Sequence, residues 1–278
     1  MAKLKVIKTG PMTTIQDFGR FGFRRYGIPQ SGVMDRKMMI AANQLVGNPN
    51  KFPVIEFALM DMELEALEET VISVVGASFK VNGQIQGKCE NVSVGDKVSI
   101  SAPTFVYGYL GMGGCIQAKE DFGSVSTYER AGFGGIDGRG LQMGDELISD
   151  GEGEIKAQAD IPDRENEELV TIRIMKGPEW NLLKELPSLE SFQVDGSSDR
   201  MGVRLTGAKL DCDYQEIASS AVIPGTIQLP ADGHPIILMN DCQTTGGYPR
   251  IGKVIDEDMG GLAQVRAGGK VKLILVDT

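Results

Sequence analysis

Short runs of Val, Ile, Leu and Thr, separated by Gly, Asp and Asn turn signals, recur along most of the chain. Runs of this kind are typical of strands in antiparallel sandwiches and barrels. We therefore predict a mainly β protein with few helices, whose strands are about five to ten residues long. Clear examples are residues 71–75, 91–100 with a turn at Gly95 and Asp96, 169–175, 235–239 and 270–276.

Two segments have the spacing of an amphipathic helix. Residues 34–46 place their apolar side chains on one face, and Gly47 with Asn48 predicts the end of that helix. Asp35 is of the residue type that caps helix starts. A second helix is predicted to begin at Pro178 and to end before Pro187.

The length of 278 residues suits two domains of ordinary size. Residues 150–168, DGEGEIKAQADIPDRENEE, are charged and poor in apolar side chains, which is typical of a connection or an exposed loop. We therefore predict an N-terminal domain over 1–160 and a C-terminal domain over 161–278.

The charge balance argues against a nucleic-acid partner, and the hydrophobicity pattern argues against secretion or a membrane span. Asp and Glu outnumber Lys and Arg by 38 to 28, which gives a net charge of −10 and no basic footprint for nucleic acid. Neither an apolar leader nor an apolar run long enough for a membrane span is present, so we expect a cytoplasmic protein.

Cysteine and histidine usage excludes further classes of site. The four cysteines are far apart and form no CxxC pair, which argues against a zinc ribbon or a dithiol redox centre. The single histidine, His234, excludes a His-rich metal site, and it excludes a Ser/His/Asp triad unless His234 is the base. No metal site is predicted.

Two stretches in the N-terminal half are richer in glycine and polar residues than a barrel requires. Among glycines that let the backbone approach a ligand, residues 13–35 contain the polar side chains of Gln16, Asp17, Arg20, Arg24, Arg25, Ser31 and Asp35. An alternative is a polar loop whose arginines pair with acidic neighbours. Residues 124–144 combine hydroxyls, glycines and Arg130, which suits a carboxylate or phosphate but also suits a hairpin without a ligand.

Two further stretches lie in the C-terminal half. In SSDRMGVRL, Asp199 adjoins Arg200, which indicates either a local ion pair or a site. Residues 225–251 contain an apolar strand that ends in a polar, glycine-rich loop, a favourable setting for general-base or ligand-orienting groups. The candidates there are Gln228, Asp241, Gln243, Thr244, Thr245, Tyr248 and Arg250.

Two sequence segments are similar to known binding motifs but lack residues that those motifs require. GVRLTGAKL has the two glycines of a phosphate-binding loop, but Ala208 precedes Lys209 and Leu210 stands where Ser or Thr would bind magnesium. Met175-Lys176 is similar to the centre of a biotin-acceptor hairpin, but Gly177 follows where the second Met is required. Biotin attachment to this chain is therefore not expected.

Six blocks, taken in order, resemble one known family. They are TTIQDFGRFGFRRYGIPQSGVMD, AANQLVGN, STYERAGFGGIDGRGLQMGD, SSDRMGVRL, GTIQLPADGHPI and DCQTTGGYPRI. The family contains the C subunit of 5-oxoprolinase, allophanate hydrolase subunit 2 and the carboxyltransferase domain of urea amidolyase. The resemblance runs from about residue 9 to the end and implies two cyclophilin-like β-barrel domains.

The resemblance also implies a reaction and partners. In the 5-oxoprolinase relatives, subunits A, B and C hydrolyse 5-oxo-L-proline to L-glutamate with ATP, so a close complex with the B subunit is expected. ATP, with Mg²⁺, is expected at a site shared with a partner subunit, and biotin is not expected. Two alternatives stay open: a biotin-dependent carboxyltransferase subunit, and a regulatory subunit that antagonises a histidine-kinase inhibitor.

For the 5-oxoprolinase function we expect the following roles. Arg20, Arg130, Arg200 and Arg250 would hold the substrate carboxylate and the transferred phosphoryl group. Asp199 or Asp241 would take the amide proton or hold a metal. The side chains expected to orient the ring or complete the binding site are those of Gln16, Asp17, Ser31, Gln228, Gln243, Thr244, Thr245 and Tyr248.

Overall fold

The computed structural model describes residues 1–156, 158–162, 168–184, 192–214 and 217–276. The chain forms two compact units. The first consists of Met1–Arg20 and Ser31–Asp163, and the second consists of Phe21–Gln30 and Arg164–Thr278. The described residues contain 21 strands and two α-helices, which confirms the mainly β prediction. The domain boundary near residue 160 stays a prediction.

The first unit contains twelve strands and the longer α-helix, α1 (Arg36–Leu45). Its strands are β1 (Ala2–Lys8), β2 (Thr13–Gln16), β3 (Val54–Ala58), β4 (Met62–Ala66), β5 (Thr70–Val75), β6 (Phe79–Val81), β7 (Gln84–Ile85), β8 (Cys89–Val92), β9 (Lys97–Ile100), β10 (Tyr107–Met112), β11 (Cys115–Ile116) and β12 (Glu146–Asp150).

These strands form two sheets. The seven-stranded sheet has the order β11-β12-β1-β4-β9-β6-β7, and the five-stranded sheet has the order β2-β3-β10-β5-β8. Side chains from both sheets, such as Leu4 from β1 and Phe57 from β3, are fully buried in one apolar core. Residues 91–100 contribute β8 and β9 to different sheets, so the turn at Gly95 connects two sheets rather than the strands of a hairpin.

Helix α1 confirms the prediction for residues 34–46, with slightly shorter bounds. Its buried face includes Met38 and Met39, as the apolar spacing indicates. The Asp35 side chain accepts a hydrogen bond from the backbone N–H of Met38 at 3.4 Å, the capping role expected of it. Ser73 of β5 donates to the carbonyl of Ala42 at 2.6 Å, which fixes the helix on the five-stranded sheet.

The second unit contains nine strands and the short helix α2 (Met259–Ala263). Its strands are β13 (Leu169–Lys176), β14 (Phe192–Val194), β15 (Gly202–Gly207), β16 (Ser220–Ala221), β17 (Thr226–Gln228), β18 (Ile236–Leu238), β19 (Thr245–Gly246), β20 (Arg250–Val254) and β21 (Lys270–Leu275). The ranges 169–175, 235–239 and 270–276 predicted as strands thus correspond to β13, β18 and β21.

Seven of these strands close into a barrel, in the order β13-β20-β17-β18-β15-β14-β21. Closure depends on β13 and β21, which pair in parallel from Leu169↔Lys270 to Ile174↔Leu275. Strands β16 and β19 form a separate two-stranded ribbon, in which Ser220 is opposite Gly246. This ribbon carries part of the candidate site.

The helix predicted to begin at Pro178 is wrong in its described part. Only a single 3-10 turn forms, over Trp180–Leu182, and Leu183 then makes a β-bridge with Cys212. Pro178 is compatible with a helix start, but the bridge draws Leu183 into extended backbone, and pairing of this kind overrides local helix propensity. Residues 185–191, which include the predicted end, lie outside the described residues.

The charged stretch 150–168 is partly attached to the first unit. The backbone N–H of Glu154 donates to the carbonyl of Val46 at 3.0 Å, and that of Lys156 donates to Leu45 at 2.9 Å. These bonds satisfy carbonyls at the C-terminal end of α1, which have no partner within the helix. Residue 157 and residues 163–167 of the stretch lie outside the described residues.

Candidate functional site

In the first unit, Asp17 is the hydrogen-bonding centre of the polar residues predicted from sequence. Its carboxylate accepts from the hydroxyls of Ser124 and Ser126, each at 2.6 Å. It also accepts from the backbone N–H groups of Gly19 at 2.8 Å and Val125 at 3.0 Å. The structure therefore brings the first two sequence stretches together, and Asp17 holds the 124–126 loop in place.

Arg20 and Gln16 are buried and donate hydrogen bonds to backbone carbonyls in or next to the same loop. Arg20 is 1% exposed, and its guanidinium donates to the backbone carbonyls of Asp121, at 3.1 Å, and of Ser126. Gln16 is fully buried, and its Nε2 donates to Thr14 Oγ1 at 3.0 Å and to the carbonyl of Thr127 at 3.1 Å. These contacts are with the protein itself, so ligand binding by Gln16, Asp17 and Arg20 stays a prediction.

The other two candidates of the first unit have different surroundings. Ser31 is buried with a φ of 56°, a left-handed conformation that is uncommon for a residue other than glycine. Arg130 is exposed, on the 3-10 turn Glu129–Ala131. Its guanidinium is available to solvent, whereas that of Arg20 is buried.

In the second unit, Arg200 and Asp241 form a bidentate ion pair. Arg200 Nε donates to Asp241 Oδ2 at 2.8 Å, and Nη2 donates to Oδ1 at 3.2 Å. The backbone N–H of Asp241 also donates to the carbonyl of Arg200 at 2.9 Å. The side chains are only 15% and 12% exposed, so water screens this pair weakly. Asp241 is therefore a carboxylate held in one orientation.

Asp199 is exposed and belongs to a tight turn. Its Oδ1 accepts from the backbone N–H groups of Met201 at 2.8 Å and Gly202 at 3.2 Å. This is the local side-chain capping that Asp commonly provides in turns. The sequence allowed a local Asp199–Arg200 pair, but the arginine pairs with Asp241 instead. A catalytic role for Asp199 stays a prediction.

Arg250 forms a second bidentate pair, with a residue that sequence reasoning did not single out. Its Nε donates to Glu179 Oε2 at 2.9 Å, and its Nη2 donates to Oε1 at 2.7 Å. These hydrogen bonds hold the pKa of the Glu179 carboxyl below its ordinary value. Arg250 Nη1 also donates to the carbonyl of Ala221 at 3.2 Å, which attaches the pair to the β16–β19 ribbon.

The amide and hydroxyl candidates lie on or near the same ribbon. Gln228 ends β17 and is 2% exposed, and its Oε1 accepts from Gln243 Nε2 at 3.4 Å. The carbonyl of Thr244 accepts from the backbone N–H of Val222 at 3.1 Å. Thr245, within β19, and Tyr248 have exposed side chains.

Arg24, a polar residue of the 13–35 stretch to which the sequence assigned no individual role, belongs to this group. It lies in the 3-10 turn Arg24–Tyr26, and its Nη2 donates to the carbonyls of Val222 at 2.5 Å and Gln243 at 2.8 Å. These partners are 198 and 219 residues away in sequence. No local pattern could have indicated those contacts.

Cys242 lies behind this polar group. Its side chain is fully buried beside Val222 and Leu238, and burial raises the pKa of the thiol. Arg24 Nη2 is 3.7 Å from Cys242 Sγ, a smaller and opposite influence on the pKa. Cys242 thus contributes to packing as a neutral thiol.

A cavity of about 550 Å³ opens in the second unit beside the Arg250–Glu179 pair. Lys176 contributes positive charge to its lining, whereas Arg250 and Lys253 are paired with Glu179 and Asp256. Met175, Ile223 and Val276 contribute apolar surface. Cavities of this size accept small molecules. Its lining suits an anion that has an apolar part.

Two absences concern only the residues that the structure describes. Within them, no three His, Cys, Asp or Glu side chains lie close enough together to hold a metal ion. No helix in the described ranges has the length and apolar character needed to cross a bilayer.

Comparison with known proteins identifies the family. The model of the carboxyltransferase domain, subdomain A and B, matches residues 26–275. The chain is 36% identical to the C subunit of 5-oxoprolinase from Haemophilus influenzae, over 97% of this chain and 90% of that protein. It is 34% identical to the C subunit of the Escherichia coli 5-oxoprolinase, over 98% and 90%.

A solved structure is also similar. The urea amidolyase of K. lactis superposes with a TM-score of 0.92 at 27% identity, covering 99% of this chain and 19% of that longer protein. The fold, the domain match and the relatives agree with the resemblance noted from sequence. The chain belongs to the carboxyltransferase-domain family that includes the 5-oxoprolinase C subunit and the corresponding domain of urea amidolyase.

Proposed function

We propose that this chain is the C subunit of an ATP-dependent 5-oxoprolinase, which acts with subunits A and B to hydrolyse 5-oxo-L-proline to L-glutamate. The observation that carries the proposal is the 36% identity to the H. influenzae C subunit, which extends over nearly the full length of both proteins. A subunit of this kind is a component of an enzyme complex rather than a complete enzyme.

The reaction requires binding of a charged lactam. Amide resonance protects the ring carbonyl, and phosphorylation of the amide oxygen would make the carbon a better electrophile. The substrate also carries a carboxylate, for which arginine is the preferred partner. The second unit offers Arg24 near a cluster of amides and hydroxyls, whereas Arg200 and Arg250 are already paired with carboxylates.

Asp241 is the residue of this unit that we assign to the reaction itself. The pair with Arg200 fixes the direction of its carboxylate, as positioned proton transfer requires. Gln243 follows it by two residues and orients the Gln228 amide by a hydrogen bond. We propose that Asp241 handles the amide proton while Gln228 and Gln243 position the substrate.

ATP chemistry is not assigned to residues of this chain. A magnesium nucleotide requires carboxylate or hydroxyl oxygens near a phosphate-binding loop. Within the described ranges no three His, Cys, Asp or Glu side chains are grouped to hold a metal ion, and the sequence GVRLTGAKL lacks the Ser or Thr of such a loop. We propose that ATP binds at a site shared with a partner subunit.

Reconstitution tests the proposal directly. The chain is mixed with its cognate subunits A and B, 5-oxoproline and ATP, and glutamate and ADP are measured while each component is omitted in turn. Glutamate release that requires this chain and is insensitive to avidin is the expected result. A stable complex with no turnover of 5-oxoproline would contradict the proposal.

A second candidate function is favoured by the family match. The matching model describes a carboxyltransferase domain, and the K. lactis urea amidolyase contains the same fold. In that case the chain would accept a carboxyl group from carboxybiotin on a separate carrier, and Asp241 would deprotonate the acceptor nitrogen. Avidin-sensitive activity with a biotinylated carrier protein would favour this function over lactam hydrolysis.

A further inference from the structure

Three buried polar side-chain atoms of the second unit have no hydrogen-bond partner among the described residues. They are Nη1 of Arg24, Oγ of Ser220 and Nε2 of Gln228. The Gln228 side chain is the most enclosed of the three, because this residue is only 2% exposed. Buried polar groups in folded proteins nearly always have a partner. Three such atoms in one unit indicate that a bound molecule supplies the missing partner.

All three side chains lie on or next to the β16–β19 ribbon. Ser220 is opposite Gly246 in this ribbon. A Cβ on Gly246 would lie 2.5 Å from Gln228 Nε2, so the absence of a side chain at 246 keeps the space at this amide open. Close approach of this kind is a reason for glycine within a strand.

Arg24 donates hydrogen bonds to backbone carbonyls next to both strands of this ribbon. Its Nη2 donates to the carbonyl of Val222, which is two residues after Ser220, and to the carbonyl of Gln243. Gln243 in turn donates through its side chain to Gln228 Oε1. The backbone contacts fix the guanidinium plane, which leaves Nη1 as a preoriented donor.

The charge of Arg24 distinguishes it from the neighbouring arginines. Arg200 is paired with Asp241, and Arg250 is paired with Glu179. Within the described ranges Arg24 has no carboxylate partner, and its two oxygen acceptors are backbone carbonyls. A half-buried guanidinium with no counter-ion favours an anionic ligand.

We propose that Arg24, Ser220 and Gln228 form a binding site for the carboxylate of a small organic acid. The two oxygens of a carboxylate offer enough lone pairs to accept from a guanidinium N–H, a hydroxyl and an amide N–H together. For the proposed function, on which this identification of the acid rests, the bound group is the carboxylate of 5-oxoproline. The lactam ring would then extend away from Arg24, which acts as an anchor.

If Ser220 binds a ligand, its substitution should change ligand affinity without lowering the stability of the free protein, which a purely structural role would not produce. Because Ser220 Oγ has no hydrogen-bond partner among the described residues, its removal does not break a hydrogen bond between them. Ser220→Ala is therefore expected to leave the midpoint of thermal unfolding unchanged or higher, and to weaken ligand binding about fivefold. Gln228→Met removes the second donor, but it also breaks the hydrogen bond from Gln243 Nε2 to Gln228 Oε1, so we expect weaker ligand binding together with a somewhat lower unfolding midpoint.

The experiment measures thermal unfolding and calorimetric titration of the full chain, alone and in complex with its cognate subunits. The probes are 5-oxoproline, sodium acetate as a minimal carboxylate, and acetamide as its neutral analogue, with sodium chloride added to equal ionic strength. Arg24→Met is compared with Arg25→Met, because Arg25 is the exposed neighbour that contacts the Tyr26 ring.

The wild-type chain and Arg25→Met should be stabilised by acetate and by 5-oxoproline but not by acetamide. Arg24→Met should lose this stabilisation, with affinity reduced about 50-fold or more. The proposal is overturned if neither carboxylate stabilises the wild type. It is also overturned if Ser220→Ala lowers the unfolding midpoint and leaves both affinities unchanged, since its hydroxyl would then bind structural water.

Failure of the site and failure of the proposed function have different results. If acetate stabilises the wild type but not Arg24→Met, and the complex does not consume 5-oxoproline, the carboxylate site stands and the 5-oxoprolinase function fails. If the complex consumes 5-oxoproline equally well with Arg24→Met and wild type, the function stands and the site fails.

Discussion

The carboxylate of Asp241 accepts two hydrogen bonds from the guanidinium of Arg200, at 2.8 and 3.2 Å. The pair joins the turn before β15 to the loop after β18, two segments that are 41 residues apart in sequence. Its weak exposure means that either side chain, left alone, would keep a poorly solvated charge. Fold stability and site geometry therefore depend on the same pair.

Removal of the Asp241 carboxylate should affect both properties. Asp241→Ala is expected to lower the free energy of unfolding by about 3 kcal/mol, because Arg200 is left without its counter-ion. Activity of the reconstituted complex should fall about 100-fold or more, as expected for loss of a general base. Urea unfolding and glutamate release measure the two effects.

Arg204→Ala is the matched control, since Arg204 is exposed on β15 and its loss should change stability by less than about 0.5 kcal/mol. Asp241→Asn separates charge from shape. If Asp241→Ala keeps wild-type turnover, Asp241 has no catalytic role.

The Glu179–Arg250 pair predicts a pH dependence of stability. Arg250 holds the folded-state pKa of Glu179 below the ordinary value of 4.5. The pair's contribution is therefore fully present above that value and is lost as pH falls through the lower, folded-state pKa. We expect the stability difference between wild type and Glu179→Gln to shrink as the pH is lowered from 7 to about 3.

Urea unfolding at several pH values measures that difference. Glu168→Gln, which changes an exposed carboxyl of the same unit, is the control and should show little pH-dependent difference from wild type. A difference between wild type and Glu179→Gln that stays constant or grows towards low pH would show that Arg250 does not stabilise the Glu179 anion.

Cysteine reactivity should follow burial. Cys242 is fully enclosed, and its thiol pKa is raised by burial, so both access and the thiolate fraction are low near neutral pH. Cys89, Cys115 and Cys212 are partly exposed. With iodoacetamide at mildly alkaline pH we expect these three to be alkylated before Cys242, which should react only after unfolding.

Peptide mass spectrometry over a time course gives the order of alkylation. A urea-unfolded sample is the control, because all four thiols should then react at similar rates. Early modification of Cys242 in the folded chain would show that the loop after β18 opens readily.

Asp17 should be a major stabilising residue of the first unit. Its carboxylate accepts from two hydroxyls and two backbone N–H groups, which would lose their partner in Asp17→Ala. We expect a loss of about 3 kcal/mol in the free energy of unfolding. Asp17→Asn should be intermediate, because its NH2 group cannot accept a hydrogen bond.

Glu120→Ala provides the comparison for an exposed acidic residue of the same unit. If Asp17→Ala and Glu120→Ala unfold at the same urea concentration, the 124–126 loop is held by other contacts. If a bound ligand restores the stability of Asp17→Ala, that ligand accepts the hydrogen bonds of the missing carboxylate. The Asp17 side chain would then take the place of a bound anion in the wild-type protein.

Local sequence patterns predicted the elements whose causes are local. The apolar spacing of residues 34–46 and the capping residue Asp35 predicted α1, and the apolar runs between turn signals predicted β5, β8, β9, β13, β18 and β21. The helix at Pro178 was predicted wrongly because a bridge between Leu183 and Cys212, 29 residues apart, overrides local propensity. Pairing of distant segments cannot be read from either segment alone.

In the candidate site, too, features with local causes could be predicted from sequence, whereas contacts between distant segments could not. Residue types and glycine-rich loops drew attention to Asp17 and Asp241, whose functional roles stay predictions, but not to the partners that decide what each side chain contacts. Asp17 accepts hydrogen bonds from hydroxyls that are more than 100 residues away in sequence, and Glu179 pairs with Arg250, which is 71 residues away. Arg24 received no individual role from sequence because its contacts are supplied by residues near the other end of the chain.

The parallel pairing of β13 with β21 has a consequence for biosynthesis. Leu169 must find Lys270 across about a hundred residues, so the barrel cannot close until the ribosome has released residues 270–275. Until then β13 presents an unsatisfied edge that can pair with other chains. Chaperones that act late in translation, together with early capture by a partner subunit, should therefore increase the yield of correctly folded protein.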